Sequence, residues 1–142
     1  MSEQSEAHIE RKERIVVRIN QLMTKDLVKV QAGTSVDKAA RMMTQRRVGS
    51  VLVEQDDRLI GIVTEPDIVR KVVGESRHPF SVKVESIMST PVIGIDERRP
   101  ITEAADLMQQ HGTRHLGVMK NGAIIGVLSV RDLLSPVSLD EF

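Results

Sequence analysis

The strongest constraint on this chain is that much of it is written twice. Shifting the sequence by 65 positions aligns residues 17–69 with 82–134 without a gap. Ten positions are then identical: Val17/Val82, Met23/Met88, Ala39/Ala104, Ala40/Ala105, Met43/Met108, Gln45/Gln110, Val53/Val118, Ile60/Ile125, Gly61/Gly126 and Asp67/Asp132. Chance at ordinary residue frequencies gives about three in such a window. Further pairs are conservative, among them Leu22/Ile87, Val36/Ile101 and Thr64/Ser129. An ungapped repeat of this length dictates a fold built from two like units.

Both copies predict the same elements. A short apolar piece opens each (Val17-Arg18-Ile19; Val82-Lys83-Val84), and a helical turn ends in Leu22-Met23 or Ile87-Met88. An extended stretch follows, Leu27–Val30 or Val92–Ile95. Apolar residues then recur at i, i+3, i+4 and i+7 (Val36, Ala39, Ala40, Met43; Ile101, Ala104, Ala105, Met108), which is one face of a helix. The methionines on this stripe therefore read as packing. Thr34 suits the cap of the first helix; Pro100 suits the first turn of the second, and Gly112 its end. Two strands come next, joined in the second copy by Asn121-Gly122, a strong hairpin signal, and in the first by the weaker pair Asp56-Asp57. A last helix starts at Thr64 or Ser129. The expected fold is α+β, two tandem β-α-β-β-α units.

One unit of about 50 residues buries little surface alone, so the two are expected to pack sheet to sheet. The boundaries are read as repeat one at 15–74, a linker at 75–79 within the Gly- and Pro-bearing stretch GESRHP, and repeat two at 80–135. Residues 1–14 and 136–142 are expected to be flexible tails. The mixed charge run Glu10–Arg14 reads as a solvated helix end.

Composition narrows the function. Lys plus Arg and Asp plus Glu number 20 each, which argues against a broad nucleic-acid face. No apolar run approaches the ~20 residues that span a bilayer, and no apolar segment near the start reads as a secretory signal. Cysteine is absent, so disulfides, thiolate catalysis and Cys-based zinc sites are excluded, in keeping with a reducing, cytoplasmic setting. There is no Trp or Tyr, and the phenylalanines are Phe80 and Phe142. Any bound base must lie against aliphatic side chains. His111 and His115 are four apart, but Gly112 breaks the helix between them and no third ligand accompanies them, so no metal site is expected.

The chemistry-bearing candidate is the last strand-to-helix junction, GIVTEPD at Gly61–Asp67 and GVLSVRD at Gly126–Asp132. A hydroxyl followed three residues later by an acid is a capping box. The same geometry suits a ligand: helix N–H groups favour a phosphate, a glycine lets a ligand approach, and a carboxylate accepts from a ribose diol. Both roles can coexist.

The duplication, the element order and this G-h-h-[TS]-x-x-D ending resemble the cystathionine-β-synthase (CBS) domain family, whose tandem pairs form Bateman modules. The resemblance covers about residues 15–135. It implies two repeats packed through their sheets about a pseudo-twofold axis, clefts for AMP, ADP or ATP (with S-adenosylmethionine and NADH ranked behind them), and a homodimer. By this resemblance Asp67 and Asp132 would hold ribose hydroxyls, and Thr64 and Ser129 would touch ribose or phosphate. Lys25, Val28, Thr90 and Ile93 would meet the adenine edge, with Val48 and Thr113 flanking the base. Arg114 and His115 would serve phosphates. Repeat one has Gly49-Ser50 at those aligned positions, so two unequal sites are expected. No nucleophile–base pair, metal set or paired carboxylates points to an enzyme. The expected role is a stand-alone regulatory module acting on a separate effector protein; the competing role is a ligand-free oligomerisation or interaction module.

Overall fold

The computed structural model describes residues 16–134. The tails expected at 1–14 and 136–142 lie outside the described residues.

In the first repeat, β1 (Lys29–Gln31) runs parallel to β2 (Ser50–Gln55), and β2 pairs antiparallel with β3 (Arg58–Thr64). Helix α1 (Val36–Arg46) connects β1 to β2, and α2 (Glu65–Lys71) follows β3. The second repeat has the same plan: β4 (Gly94–Asp96), α3 (Ile101–His111), β5 (His115–Lys120), β6 (Ala123–Ser129) and α4 (Val130–Leu133). The two three-stranded sheets even share an irregularity. Register slips at Val53/Glu54 in one and at Val118/Met119 in the other.

Local chemistry explains the boundaries. Helix α1 is capped by Ser35, whose hydroxyl accepts from Lys38 N; Thr34, the expected cap, stands one residue too early. Pro100 occupies the N-cap position of α3, and Gly112 ends that helix in the left-handed conformation. Both hairpins close on two residues with positive φ. Asn121 (51°) and Gly122 (81°) suit this turn; Asp56 (51°) and Asp57 (61°) adopt it without a glycine.

The opening apolar pieces behave differently from a strand. Val17–Ile19 and Val82–Val84 lead into 3-10 turns at Ile19–Gln21 and Val84–Ser86 and make only isolated bridges. The reason lies in where they pack. Each crosses to the other repeat. Ile19 is buried with Ile95, Ala104, Met108, Leu116, Val118 and Leu128 of repeat two. Val82, Val84 and Ile87 are buried with Val30, Val36, Met43, Val53 and Val63 of repeat one. The backbone contacts are exchanged in matching pairs. Ile101 N donates to Val17 O and Val36 N to Val82 O, at 3.1 and 2.8 Å. Thr24 bridges Val127, and Ser89 bridges Ile62. Each of these contacts becomes its counterpart under the 65-residue shift, which is the pseudo-twofold relation. At about 1.5–3 kcal/mol for each fully buried aliphatic side chain, the arms contribute a substantial part of both cores.

The arms also account for the motif glycine. A Cβ on Gly61 would lie 2.5 Å from Met88 Sδ and 2.9 Å from the Ser89 carbonyl oxygen. A Cβ on Gly126 would lie 2.9 Å from Met23 Sδ and 2.9 Å from Thr24 O. The glycine admits the crossing arm of the other repeat, where the sequence suggested the approach of a ligand.

Candidate functional site: a cleft between the repeats

A cleft of about 750 Å3 lies between the two repeats. Its walls come from the arm of repeat one (Thr24, Asp26, Val28), the end of α1 and start of β2 (Arg47 to Ser50), α2 (Glu65, Pro66, Val69, Arg70), the start of β5 (Arg114, His115) and the motif of repeat two (Ser129 to Asp132). Val28, Val48, Leu52 and Val127 supply aliphatic surface, and among the described residues no phenylalanine lines it.

Of the residues singled out from sequence, Val28, Val48, Arg114, His115, Ser129 and Asp132 meet in this cleft. Lys25, Thr64, Asp67, Thr90, Ile93 and Thr113 do not line it. Ile93 packs against the core of repeat two. Thr90 Oγ1 donates to Ile60 O at 2.8 Å, and Thr113 Oγ1 donates to His115 O at 3.1 Å. Sequence reasoning missed Arg47, Glu65, Arg70 and Arg131. One signal was present. Glu65-Pro66 and Val130-Arg131 are the two unspecified positions of the motif, and both pairs face the cleft.

Both motif endings form complete capping boxes. Thr64 N donates to Asp67 Oδ2 at 2.9 Å, and Asp67 N donates back to Thr64 Oγ1 at 3.4 Å. Ser129 N donates to Asp132 Oδ2 at 2.8 Å, and Asp132 N to Ser129 Oγ at 3.4 Å. The carboxylates are thereby fixed at the first turn of each helix. On Asp132 the cap uses Oδ2, and among the described residues nothing bonds Oδ1.

The mismatched pair at the strand starts has a structural consequence. Gly49 leaves space that Glu65 and His115 enter from both repeats. A Cβ there would lie 2.9 Å from Glu65 Oε1 and 3.4 Å from His115 Nε2. His115 Nδ1 is buried and has no hydrogen-bond partner among the described residues. Burial pushes the His115 pKa below its ordinary value, opposed by the charges of Glu65, Asp132 and Asp67 and assisted by Arg114. His115 is thus held toward its neutral form. The guanidinium groups of Arg47, Arg70, Arg114 and Arg131 supply positive charge at the cleft, against the carboxylates of Asp26, Glu65 and Asp132. Asp26 is already paired with Arg46 at 3.2 Å. No group of three or more metal-ligating side chains occurs among the described residues.

Comparison with known proteins decides the family. The CBS domain family matches twice, at residues 19–74 and 84–138. The chain is a CBS-domain protein. A 17.7 kDa protein of Acidianus ambivalens is 33% identical over 121 residues, spanning 84% of this chain and 72% of the relative. A Methanopyrus kandleri protein is 34% identical, and here the chain spans only 61% of the relative. Among solved structures, a CBS-domain protein of Burkholderia ambifaria superposes with a TM-score of 0.83 at 31% identity, covering 89% of this chain and 97% of that one. A hexameric CBS-CP12 protein from bloom-forming cyanobacteria gives 0.80 at 27% identity, covering 89% and 74%. Among the described residues no helix is long and apolar enough to cross a membrane.

Proposed function

We propose that this CBS pair is a non-enzymatic regulatory module that binds an adenosine-containing ligand, AMP, ADP or ATP, in the cleft between its repeats. A partner protein reads the resulting change of shape. The observation that carries this is Asp132, a cleft carboxylate fixed by its own cap with Oδ1 uncommitted among the described residues. Such an oxygen can accept from a ribose hydroxyl. The aliphatic walls suit a base, and the guanidinium groups suit phosphates. The ligand controls the partner only through its differential affinity for two states of the module.

The test uses the absence of Trp and Tyr. The protein scarcely absorbs near 280 nm, so a nucleotide-like band near 260 nm in the purified protein reports a bound base directly. Melting with added AMP, ADP or ATP at 100 times the dissociation constant should stabilise the fold by about 2.7 kcal/mol. At the same nucleotide concentration Asp132→Asn should cut that gain to about half or less. No shift with any of the three nucleotides, and no 260 nm band, would refute the proposal.

One observation favours the oligomerisation role as well. Val69 and Leu134 are equivalent under the repeat, both line the cleft and both are 61% exposed, so the cleft carries a pseudo-symmetric apolar pair suited to a second copy. A homodimer through this face predicts that Val69→Asp with Leu134→Asp gives monomers in light scattering. An unchanged mass would exclude that face.

A further inference from the structure

The two motif aspartates differ in what already holds them. Asp67 is buried and both its oxygens are engaged within the chain. Oδ2 accepts from Thr64 N at 2.9 Å and from Thr64 Oγ1 at 3.0 Å. Oδ1 lies 3.0 Å from Lys71 Nζ. The same ammonium donates to the Ile87 carbonyl at 2.8 Å. Ile87 belongs to the arm that repeat two sends into the core of repeat one. Lys71 therefore ties α2 to that arm across the carboxylate. The corresponding place in repeat two differs: Asp132 Oδ1 receives no such bond among the described residues, and the 65-residue shift puts Pro136 opposite Lys71. Proline carries no donor that could reach a carboxylate.

We propose that Lys71 is a built-in occupant of the first repeat's ribose position, so that the chain takes one nucleotide, at Asp132, and its pseudo-symmetric second place is closed. This rests on the nucleotide-binding function proposed above. A ribose diol presents two hydroxyl donors and needs acceptor positions for both. On Asp67 the cap takes Oδ2 and the ammonium shares Oδ1, which leaves too few positions for both hydroxyls. Admitting a diol means displacing Lys71 from the carboxylate and from Ile87 O together. On Asp132 nothing equivalent among the described residues has to leave. Lys71 is half-exposed, so the closure is a contact at the surface of repeat one and can be removed without opening the core.

Titration calorimetry of the full chain with AMP and with ATP tests this. The unaltered protein should bind one nucleotide per chain. Asp67→Asn should leave its affinity unchanged, whereas Asp132→Asn should weaken it about tenfold or more. Lys71→Met keeps the aliphatic stem and removes the ammonium; it should bind two. Lys71→Met combined with Asp132→Asn should keep the newly opened place, with the one at Asp132 weakened as in the single change. Two nucleotides on the unaltered chain, or equal weakening by the two aspartate changes, would overturn the closure and leave the cleft assignment standing. So would Lys71→Met binding a single nucleotide with unaltered affinity. If that variant does not fold, the contrast between Asp67→Asn and Asp132→Asn decides alone. No binding of AMP or ATP by the unaltered chain would overturn both proposals.

Discussion

Replacing Gly61 by alanine should cost stability well beyond the usual effect of one methyl group. The added Cβ would stand 2.5 Å from Met88 Sδ, 2.9 Å from Met88 Cγ and 2.9 Å from the Ser89 carbonyl oxygen. The methionine side chain can swing away, but the carbonyl belongs to the backbone. It accepts from Ile62 N at 3.0 Å, while Ser89 N donates to Ile62 O at 2.9 Å. Relief requires this bridge to loosen. Overpacking of this kind costs about 1–3 kcal/mol, and each weakened backbone hydrogen bond adds about 0.5–1.5 kcal/mol. A loss of about 2–4 kcal/mol follows, a fall in Tm on the order of 10 °C for a domain of this size. Urea unfolding measures it. Gly33→Ala is the matched control, because a Cβ at Gly33 meets nothing within 4 Å. Equal, small effects at Gly61 and Gly33 would refute the argument that the motif glycine is there for the arm. So would a Gly61→Ala protein of full stability that had merely lost affinity for nucleotide.

Two further outcomes follow from positions already described. Asp57 holds a φ of 61° in a turn that favours glycine, so Asp57→Gly should raise stability by about 0.5–1 kcal/mol in urea melts; a loss would show that the Asp57 side chain contributes something the turn geometry does not reveal. Burial depresses the His115 pKa in the folded chain, so the unfolded chain takes up that proton more readily. The associated stability is present above the unfolded value of about 6.5 and is lost as pH falls through the lowered folded value. Between about pH 7.5 and 5.5 the unaltered protein should therefore lose more stability than His115→Gln; equal losses would count against a buried neutral His115.

The fold was legible because the chain states it twice. An ambiguous segment in one copy is resolved by the other, as Asn121-Gly122 resolves the turn at Asp56-Asp57. The helical stripes gave α1 and α3 in both repeats, with Val36, Ala39 and Met43 buried in one and Ala104 and Met108 in the other. Periodicity says which face is apolar but not which core receives it, so the exchange of Val17–Ile19 and Val82–Val84 was invisible. Thr34 and Ser35 are both good caps, and only the path of the chain chooses Ser35. In the site, the residues at the start of β5 and the motif of repeat two meet in one cleft. Asp67 matches Asp132 in sequence, yet it lies outside that cleft and is paired with its neighbour one turn on. That spacing, Asp67 to Lys71, is an ordinary i,i+4 pair and was readable. Its second bond, to Ile87, depended on the exchanged arm and was not.

The exchange also speaks to how the chain came about. A lone repeat, with its own arm reaching outward, could complete its core only by trading arms with an identical chain, which is a domain-swapped dimer. Joining two such chains turns that encounter into an intramolecular one, at an effective concentration in the mM range for a short connection. Separately expressed fragments cut between Ser76 and Arg77 should accordingly be unfolded alone and recover structure when mixed. In a dimer of identical single repeats, symmetry would put every residue on both sides, so a lysine that shut one cleft would shut both. A joined chain is free of that rule, and this one has Lys71 in one copy and Pro136 at the aligned position of the other.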